Sequence, residues 1–235
     1  MNGREWALAH LQGDKLRYLN LLEVLRRDSG ELLYGAEDGV LLYDRCSTAY
    51  MLTAEHQAAA DTMIKLIPKT ADLCVAHENW YLPALRERLG LKHGLVCHQV
   101  AWMGEAPPEP SFFSGEIKPL ETGWAAKVSK HYNHDYANEA YIAEAIGRGM
   151  LGAFIDGELA GFVGTHDEGT MGLLEVLPHY RRRGVAEALH RAITRQVLAK
   201  GGYALGHVEV GNEASMALQE KVGMAVSEHL VYWVF

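Results

Sequence analysis

The spacing of apolar residues changes several times along residues 116–235, and each change predicts a strand or a helix. Short apolar runs on either side of Asp156-Gly157 and the polar turn "HDEGT" predict three consecutive strands. From Val185 onward, apolar residues recur every three or four positions, as in a helix with one face packed on a sheet. This helix is predicted to stop at Gly201-Gly202. The predicted order over residues 116–235 is β-α-α-β-β-β-α-β-α-β.

The first half of the chain also predicts mixed helices and strands. "ELLYGAEDGVLLYD" predicts a hairpin that turns at Gly39, and "TAEHQAAADTMIKLI" predicts a helix that stops before Pro68. "ADLCVAH" predicts a short buried strand, and "NWYLPALRERLGL" predicts a helix that ends at Gly90. The coarse order is compatible with an eroded version of the second half. No motif in this half assigns a chemical role to it.

A break in composition separates the two halves. The stretch "GEAPPEPSFFSGE", residues 104–116, places three prolines among glycines and polar residues. Such a segment is typical of a join between folded units. We therefore expect an α/β protein of two domains, residues 1–115 and residues 116–235.

Composition narrows the classes of function. The net charge of −8 argues against general nucleic-acid binding, and no segment has the roughly 18 apolar residues of a membrane span. Cys46, Cys74 and Cys97 lie far apart, so neither a disulfide framework nor a zinc ribbon is expected. His131 and His134 could share one helix face, but two histidines alone more often mark an exposed polar face than a metal site. We expect a cytoplasmic protein without a metal.

Three consecutive arginines, Arg181, Arg182 and Arg183, precede Gly184 at the predicted start of the long helix. An arginine run is often only a solvated surface cluster. At a strand-to-helix junction, however, unpaired backbone N–H groups and the positive end of the helix dipole attract an anion. Gly184 and the small Ala186 leave room for a phosphate to approach the backbone, while arginine adds charge. The sequence therefore predicts an anion site here.

Two motifs carry a resemblance to a known family. "VLPHYRRRGVA" resembles the pyrophosphate-binding motif R/Q-x-x-G-x-G/A of the GNAT acyltransferases, and "HVEVGNEASMALQEKVGM" resembles their later strand and helix. The matching residues are Val176, Pro178, Arg181, Gly184 and Ala186 in the first motif, and Asn212, Ser215, Lys221, Gly223 and Met224 in the second. The resemblance covers about residues 116–235. The first half is similar to the degenerate GNAT-type half of the glycine N-acyltransferase-like branch, so a GNAT fold in tandem halves is implied.

The resemblance implies an N-acyltransferase that moves an acetyl group from acetyl-CoA to a primary amine of a small molecule or amino acid. The pantetheine arm is expected between strands 171–177 and 204–210, which splay apart in this family. Which arginine touches the phosphates stays open, and Asn212 is alternatively only the N-cap of its helix. The implied cofactor-binding residues are Val176, Leu177, Arg181, Arg182, Arg183, Gly184, Val185, Ala186, Asn212 and Ser215.

Acetylation of an amine requires a proton acceptor, because an alkyl ammonium is not nucleophilic. Strict alternation would place Met171, Leu173 and Glu175 on one face of their strand, which the resemblance directs toward the active site. Glu175 is therefore the first candidate base, with a surface salt bridge as its alternative role. His207 is the second candidate or else a packing histidine, and Glu168 is a weaker third.

The final helix departs from the family. Many relatives carry a tyrosine that protonates the leaving thiolate where this chain has Gln219, and an amide is no acid. Ser215 or a water molecule is the candidate replacement. Tyr132 and Tyr136 are implied to line the acceptor pocket. Two alternatives stay open, namely acetylation of a peptide or protein amine and a CoA-binding regulatory module without catalysis.

Overall fold

The computed structural model describes residues 2–132, 134 and 137–235. The first part of the chain begins with two helices that the sequence patterns did not reveal, and it continues with the predicted hairpin. Its elements are α1 (Gly3–Gly13), α2 (Leu19–Arg26), β1 (Gly30–Ala36), β2 (Gly39–Asp44), β3 (Tyr50–Ala54), α3 (Gln57–Leu66), β4 (Cys74–Ala76), α4 (Leu82–Leu89) and β5 (Gly94–Ala101). The predictions of the hairpin, α3, β4 and α4 are confirmed; β3 and β5 were not predicted.

The second part of the chain follows the predicted order. Its elements are β6 (Glu116–Pro119), α5 (Ala125–His131), α6 (Glu139–Arg148), β7 (Leu151–Ile155), β8 (Glu158–Thr165), β9 (Met171–Val176), α7 (Val185–Ala199), β10 (Leu205–Glu209), α8 (Glu213–Val222) and β11 (Ala225–Val234). The predicted class, α/β with a mixed sheet, is confirmed. The predicted helix after the three arginines is confirmed as α7, which is the longest helix in the described residues.

The strands form a seven-stranded sheet in the order β1-β2-β3-β4-β11-β5-β10 and a four-stranded sheet in the order β6-β7-β8-β9. Strand β11 pairs antiparallel with both β4 and β5, through Tyr232 with Ala76 and Val231 with Cys97. Because of this pairing, the last strand of the chain belongs to the sheet of the first half. Strands β3 and β4 are parallel neighbours.

Two compact units result. The first comprises the chain up to Ala101 together with residues 207–213 and 225–235, and the second comprises residues 102–206 and 214–224. This division differs from the predicted boundary after residue 115, because the chain returns to the first unit through β11. No helix among the described residues is long and apolar enough to cross a membrane.

Each unit has its own apolar core. In the first unit, α3 and α4 bury Met63 and Leu85 together with Leu52 of the sheet. In the second unit, α5 and α6 bury Val128 and Ile142 against Phe162 and Leu173, among others. Each fully buried side chain of this size contributes about 1.5–3 kcal/mol to folding. These cores hold the strand ends and helix starts on which the candidate site depends.

Helix α7 lies close to the sheet of the second unit. A Cβ atom on Gly161 of β8 would come within 3.2 Å of the Val185 and Leu189 side chains, so the glycine permits close packing. The predicted apolar stripe of α7 is confirmed, since Val185, Leu189 and Ile193 are buried.

Candidate cofactor-binding and catalytic site

The connection between β9 and α7 has the geometry of an anion site. Residues Pro178–Tyr180 form a 3-10 turn, and both Arg182 (φ 63°) and Gly184 (φ 81°) have left-handed backbone conformations. Gly184 occupies the N-cap position, and no side chain among the described residues caps α7. The Ala188 N–H is bonded to the Gly184 carbonyl (3.0 Å), which leaves the preceding N–H groups at the helix start without a helical partner. Such groups and the helix dipole favour an anion.

The three arginines have different surroundings. Arg181 turns back to β9, where its Nε donates to the Val176 carbonyl (3.1 Å) and its Nη2 lies 3.2 Å from Glu175 Oε1. The Arg183 guanidinium lies over the Tyr180 ring, 5.6 Å from its centroid. Arg181 therefore braces the end of the strand. Arg182 and Arg183, both exposed, supply positive charge next to the helix start.

Strand β9 contains a bulge that changes which side chains share a face. Its register with β8 pairs Gly172 with Gly164 and Glu175 with Phe162, so the residues between them fall out of step. Leu173 lies in this break with φ 53°. Residues directly opposite each other share a face, so Glu175 lies on the same face as Gly172. The prediction that Glu175 shares a face with Met171 is therefore wrong, because it assumed uninterrupted alternation.

The Glu175 carboxylate is one-third exposed (33%) and is paired with Arg181. The salt bridge that the sequence offered as an alternative role is thus present. The ion pair does not exclude proton transfer, since the carboxylate keeps part of its surface open to solvent. Glu175 remains the predicted base, in an orientation set by Arg181 and the bulge.

The His207 imidazole uses both ring nitrogens. The Trp233 indole N–H donates to its Nδ1 (3.1 Å), which must therefore be unprotonated, and its Nε2 lies 3.1 Å from Gln99 Oε1. The Gln99 amide nitrogen donates to the carbonyls of Leu16 (2.6 Å) and Arg17 (2.9 Å), which turns its oxygen toward the histidine. His207 is thus the Nε2–H tautomer with its lone pair engaged. This arrangement favours the packing role over the role of base.

Gln219, the residue for which the sequence predicted a missing acid, forms a buried pair with a histidine. Its Oε1 accepts a hydrogen bond from His190 Nε2 of α7 (2.9 Å). Burial lowers the pKa of His190 to about 4, which keeps the ring neutral at physiological pH. The pair links α8 to α7. Gln219 therefore makes a structural contact between the two motif helices.

Lys221 of the second motif also links these helices. Its Nζ lies 2.7 Å from Glu187 Oε2, and Arg191 Nε lies 3.2 Å from Glu187 Oε1. The hydrogen bond from Lys221 is the main cause of a lowered pKa for Glu187. Sequence reasoning assigned no partner to Lys221, because Glu187 belongs to a different helix and no local spacing connects them.

The other predicted residues are placed as follows. Asn212 directly precedes α8 and its N–H donates to the Glu209 carbonyl (3.0 Å), while Ser215 lies half-buried in the first turn of that helix. Val185 is buried and Ala186 is half-buried at the start of α7, and the Leu177 N–H donates to the Ala160 carbonyl (2.9 Å).

Glu168 is buried in the β8–β9 connection and accepts a hydrogen bond from Thr170. This local bond weakens its candidacy as a base.

Of the two tyrosines predicted to line the acceptor pocket, Tyr132 lies in the described residues. Tyr132 packs edge-on against Phe162 with ring centroids 6.4 Å apart, and its ring lies 4.4 Å from that of His134. Tyr136 lies outside the described residues. Within the described part of the chain, no group of three or more His, Cys, Asp or Glu side chains could hold a metal ion.

Comparison with known proteins identifies the fold. The family described as FR47-like protein matches residues 150–234. No curated protein sequence matches the chain. A protein from Drosophila melanogaster, 17% identical, has a similar structure with a TM-score of 0.74, and the match covers 98% of this chain and 94% of that one.

Two bacterial structures extend this comparison. A GCN5-related N-acetyltransferase-like protein from Streptococcus suis is 13% identical over 100% of both chains, with a TM-score of 0.59. A GCN5-related N-acetyltransferase from Kribbella flavida is 13% identical over 94% of both chains, with a TM-score of 0.57. The chain therefore has the mixed α/β fold of GNAT acetyltransferases, with an FR47-like domain in its second half.

Proposed function

We propose that the protein is an acyl-CoA-dependent N-acyltransferase that moves an acetyl group from acetyl-CoA to a primary amine of a small molecule or amino acid. One observation carries the proposal: no described side chain caps the start of α7, and the connection before it leads from a bulged edge strand that bears a carboxylate. This combination offers an anion seat and a proton acceptor on one strand–helix connection.

The residues at the start of α7 fit the diphosphate of CoA. The N–H groups of Val185, Ala186 and Glu187 are available as donors, and Gly184 leaves the approach to them without a side chain. The charges of Arg182 and Arg183 would offset those of the phosphates. Val176 and Leu177 lead from the edge of β9 toward this seat, and Asn212 and Ser215 stay predicted contacts of the cofactor.

The edge of β9 is suited to an extended ligand. β9 is the last strand of its sheet, so an extended chain can hydrogen-bond along its outer edge as an added strand would. The bulge at Leu173 and Leu174 releases peptide groups from the regular ladder with β8. A peptide N–H released in this way can donate to the carbonyl oxygen of a thioester, where negative charge develops during attack.

Acetyl-CoA, when bound, would supply a thioester carbonyl that is open to attack by an amine. Glu175 would take a proton from the substrate ammonium, either directly or through one water molecule, and the neutral amine would then attack the carbonyl carbon. Arg181 holds that carboxylate in place. Ser215 or a water molecule would protonate the departing thiolate, a modest demand because a thiol pKa of about 8.5 is close to neutrality.

The test is a thiol-release assay with acetyl-CoA and a panel of amines that includes amino acids and short peptides. We expect turnover with at least one small amine, and Glu175→Gln should lower kcat by roughly 100-fold with little change in CoA affinity. Glu158→Gln, which alters another acid in the same sheet, serves as the matched control and should keep full activity.

Other outcomes would redirect the proposal. Loss of turnover in His207→Ala, with full activity in Glu175→Gln, would move the base to His207. Activity on peptides alone would favour the peptide-amine alternative. Tight CoA binding without turnover on any amine would favour the regulatory module.

A further inference from the structure

Phe112 is the most exposed large apolar side chain in the described part of the chain, with 91% of its surface accessible. A single exposed apolar residue needs no explanation by itself. The position of Phe112 distinguishes it from the others. Its carbonyl oxygen lies 3.4 Å from the point where a Cβ atom on Gly184 would stand, so it borders the N-cap residue of α7.

Hydrogen bonds restrain the chain on both sides of Phe112, one to α7 and one within the segment itself. Before it, Arg195 Nη1 of α7 donates to the Pro108 carbonyl (2.9 Å). After it, the Gly115 N–H donates to the Phe113 carbonyl (3.0 Å), and the Phe113 ring occupies the space where Gly115 would carry a Cβ atom. Phe112 is thus held beside the anion seat while its own ring faces solvent.

We propose that the Phe112 ring is the surface on which the adenine of CoA stacks. This inference rests on the proposed function, since it requires the CoA diphosphate at the start of α7. In CoA, one ribose separates the diphosphate from the adenine, so the base must lie close to the phosphate seat. An exposed aromatic face next to that seat matches the flat face of a purine. Stacking of one base on an aromatic side chain is worth roughly a 5- to 150-fold difference in affinity.

The proposal accounts for two features together. The Pro108 carbonyl accepts a hydrogen bond from α7, and the Phe112 carbonyl lies against Gly184, so the position of this segment does not depend on the Phe112 side chain. The neighbouring Phe113 is half-buried and Phe112 is not, so adjacent phenylalanines have different roles. Phe113 packs against its own segment and Phe112 stays available for a ligand.

The test compares CoA with 4′-phosphopantetheine, which lacks the adenine nucleotide, by isothermal titration calorimetry on the full chain. Phe112→Ala should weaken CoA binding at least 5-fold and leave 4′-phosphopantetheine binding unchanged. Phe112→Trp should retain CoA affinity, because it keeps an aromatic face. Phe235→Ala, which removes another exposed phenylalanine, should bind both ligands like the wild-type protein.

Three results would overturn the inference. Unchanged CoA affinity in Phe112→Ala would show that the ring carries no binding energy. An equal loss for CoA and 4′-phosphopantetheine would show that Phe112 only shapes the loop. If the wild-type protein bound neither ligand, the proposed function would fail and this inference with it, whereas the first two results leave the proposed function standing.

Discussion

Two strand–helix connections in this protein differ in what occupies the start of the helix. In the second unit, β9 leads through the arginines and Gly184 to α7, which no described side chain caps. In the first unit, β3 leads through Glu55 and His56 to α3, and the His56 imidazole caps that helix by accepting from the Ala59 N–H (3.2 Å). A side chain therefore caps the start of α3, whereas no described side chain caps the start of α7.

The end of β3 is filled as well. Glu78 Oε2 accepts from the Ala54 N–H (3.0 Å), while its Oε1 accepts from Thr53 Oγ1 (2.7 Å) and from Arg17 Nη2 (2.7 Å). Strand β3 also pairs in parallel with β4, whereas β9 is the last strand of its sheet in the described part of the chain. The contrast teaches that two strand–helix connections of similar order can differ in whether their backbone amides are already bonded within the chain.

The order of elements nevertheless recurs. From α1 to β5 the order is α-α-β-β-β-α-β-α-β, and the same order runs from α5 to β11. This recurrence supports our proposal that the first half is a GNAT-type half that has lost its cofactor site. At α3, that loss would correspond to the side chains of His56 and Glu78, which occupy backbone amides that a cofactor would otherwise use.

The largest effect is expected from Gly184→Glu. The substitution places a carboxylate at the anion seat and a side chain where φ is 81°, so CoA affinity should fall more than about 100-fold. Ala58→Glu adds the same charge to the first turn of α3 and should leave CoA affinity unchanged. Calorimetry measures both affinities, and circular dichroism checks that both variants fold. Equal losses in the two variants would remove the distinction between the connections.

Glu78→Ala is expected to lower stability without changing CoA affinity. Removing this carboxylate leaves the partly buried Arg17 without its ion-pair partner, so the free energy of unfolding should fall by about 3 kcal/mol. Affinity for CoA should not change, because the Ala59 N–H at the start of α3 still donates to a side chain of the chain itself, His56. Urea denaturation and calorimetry provide the two readouts, and the exposed Glu87→Ala is the control. A weaker affinity for CoA with intact stability would contradict the assigned role.

A smaller effect is expected from pH. Helix α7 buries His190, whereas the buried residues of α3 are Ala59, Ala60, Met63 and Ile64. Burial lowers the pKa of His190 from 6.5 to about 4, so its unfolded form takes up a proton first as pH falls. The stability that it contributes is complete above pH 6.5 and is lost as pH falls toward 4.

Between pH 7 and pH 5, the free energy of unfolding of the wild-type protein should therefore fall about 2 kcal/mol more than that of His190→Gln. His77 and His166, whose pKa values burial also lowers, are present in both proteins and cancel in this difference. Urea denaturation at the two pH values gives the result. Equal pH dependence in the two proteins would show that His190 is not the buried neutral group described.

Local patterns predicted much of the fold because the signals were local. The apolar period of α7, the glycine after it and the V-x-P-x-x-R-x-x-G spacing all lie within one stretch of chain. Strands β3 and β5 escaped prediction, and the place of β11 in the first sheet depends on pairing with residues far away in sequence.

The chemistry of the site was predicted less well. At the bulge, Leu173 has a left-handed backbone conformation. A glycine or asparagine at this position would have signalled such a conformation in the sequence, but a leucine does not. Because of this bulge, Glu175 lies on the same face as Gly172 and not, as predicted, on that of Met171. Likewise, the partners of His207 and Gln219 come from other elements, so sequence spacing could not show that both side chains are already engaged.

The central claim is that, of the two strand–helix connections, the one between β9 and α7 binds CoA and the one between β3 and α3 does not. The most direct test is the stoichiometry of CoA binding to the wild-type chain and to Gly184→Glu by calorimetry. We predict one CoA per wild-type chain and no measurable binding to Gly184→Glu. Two CoA molecules per wild-type chain, or undiminished binding in a folded Gly184→Glu, would contradict the claim.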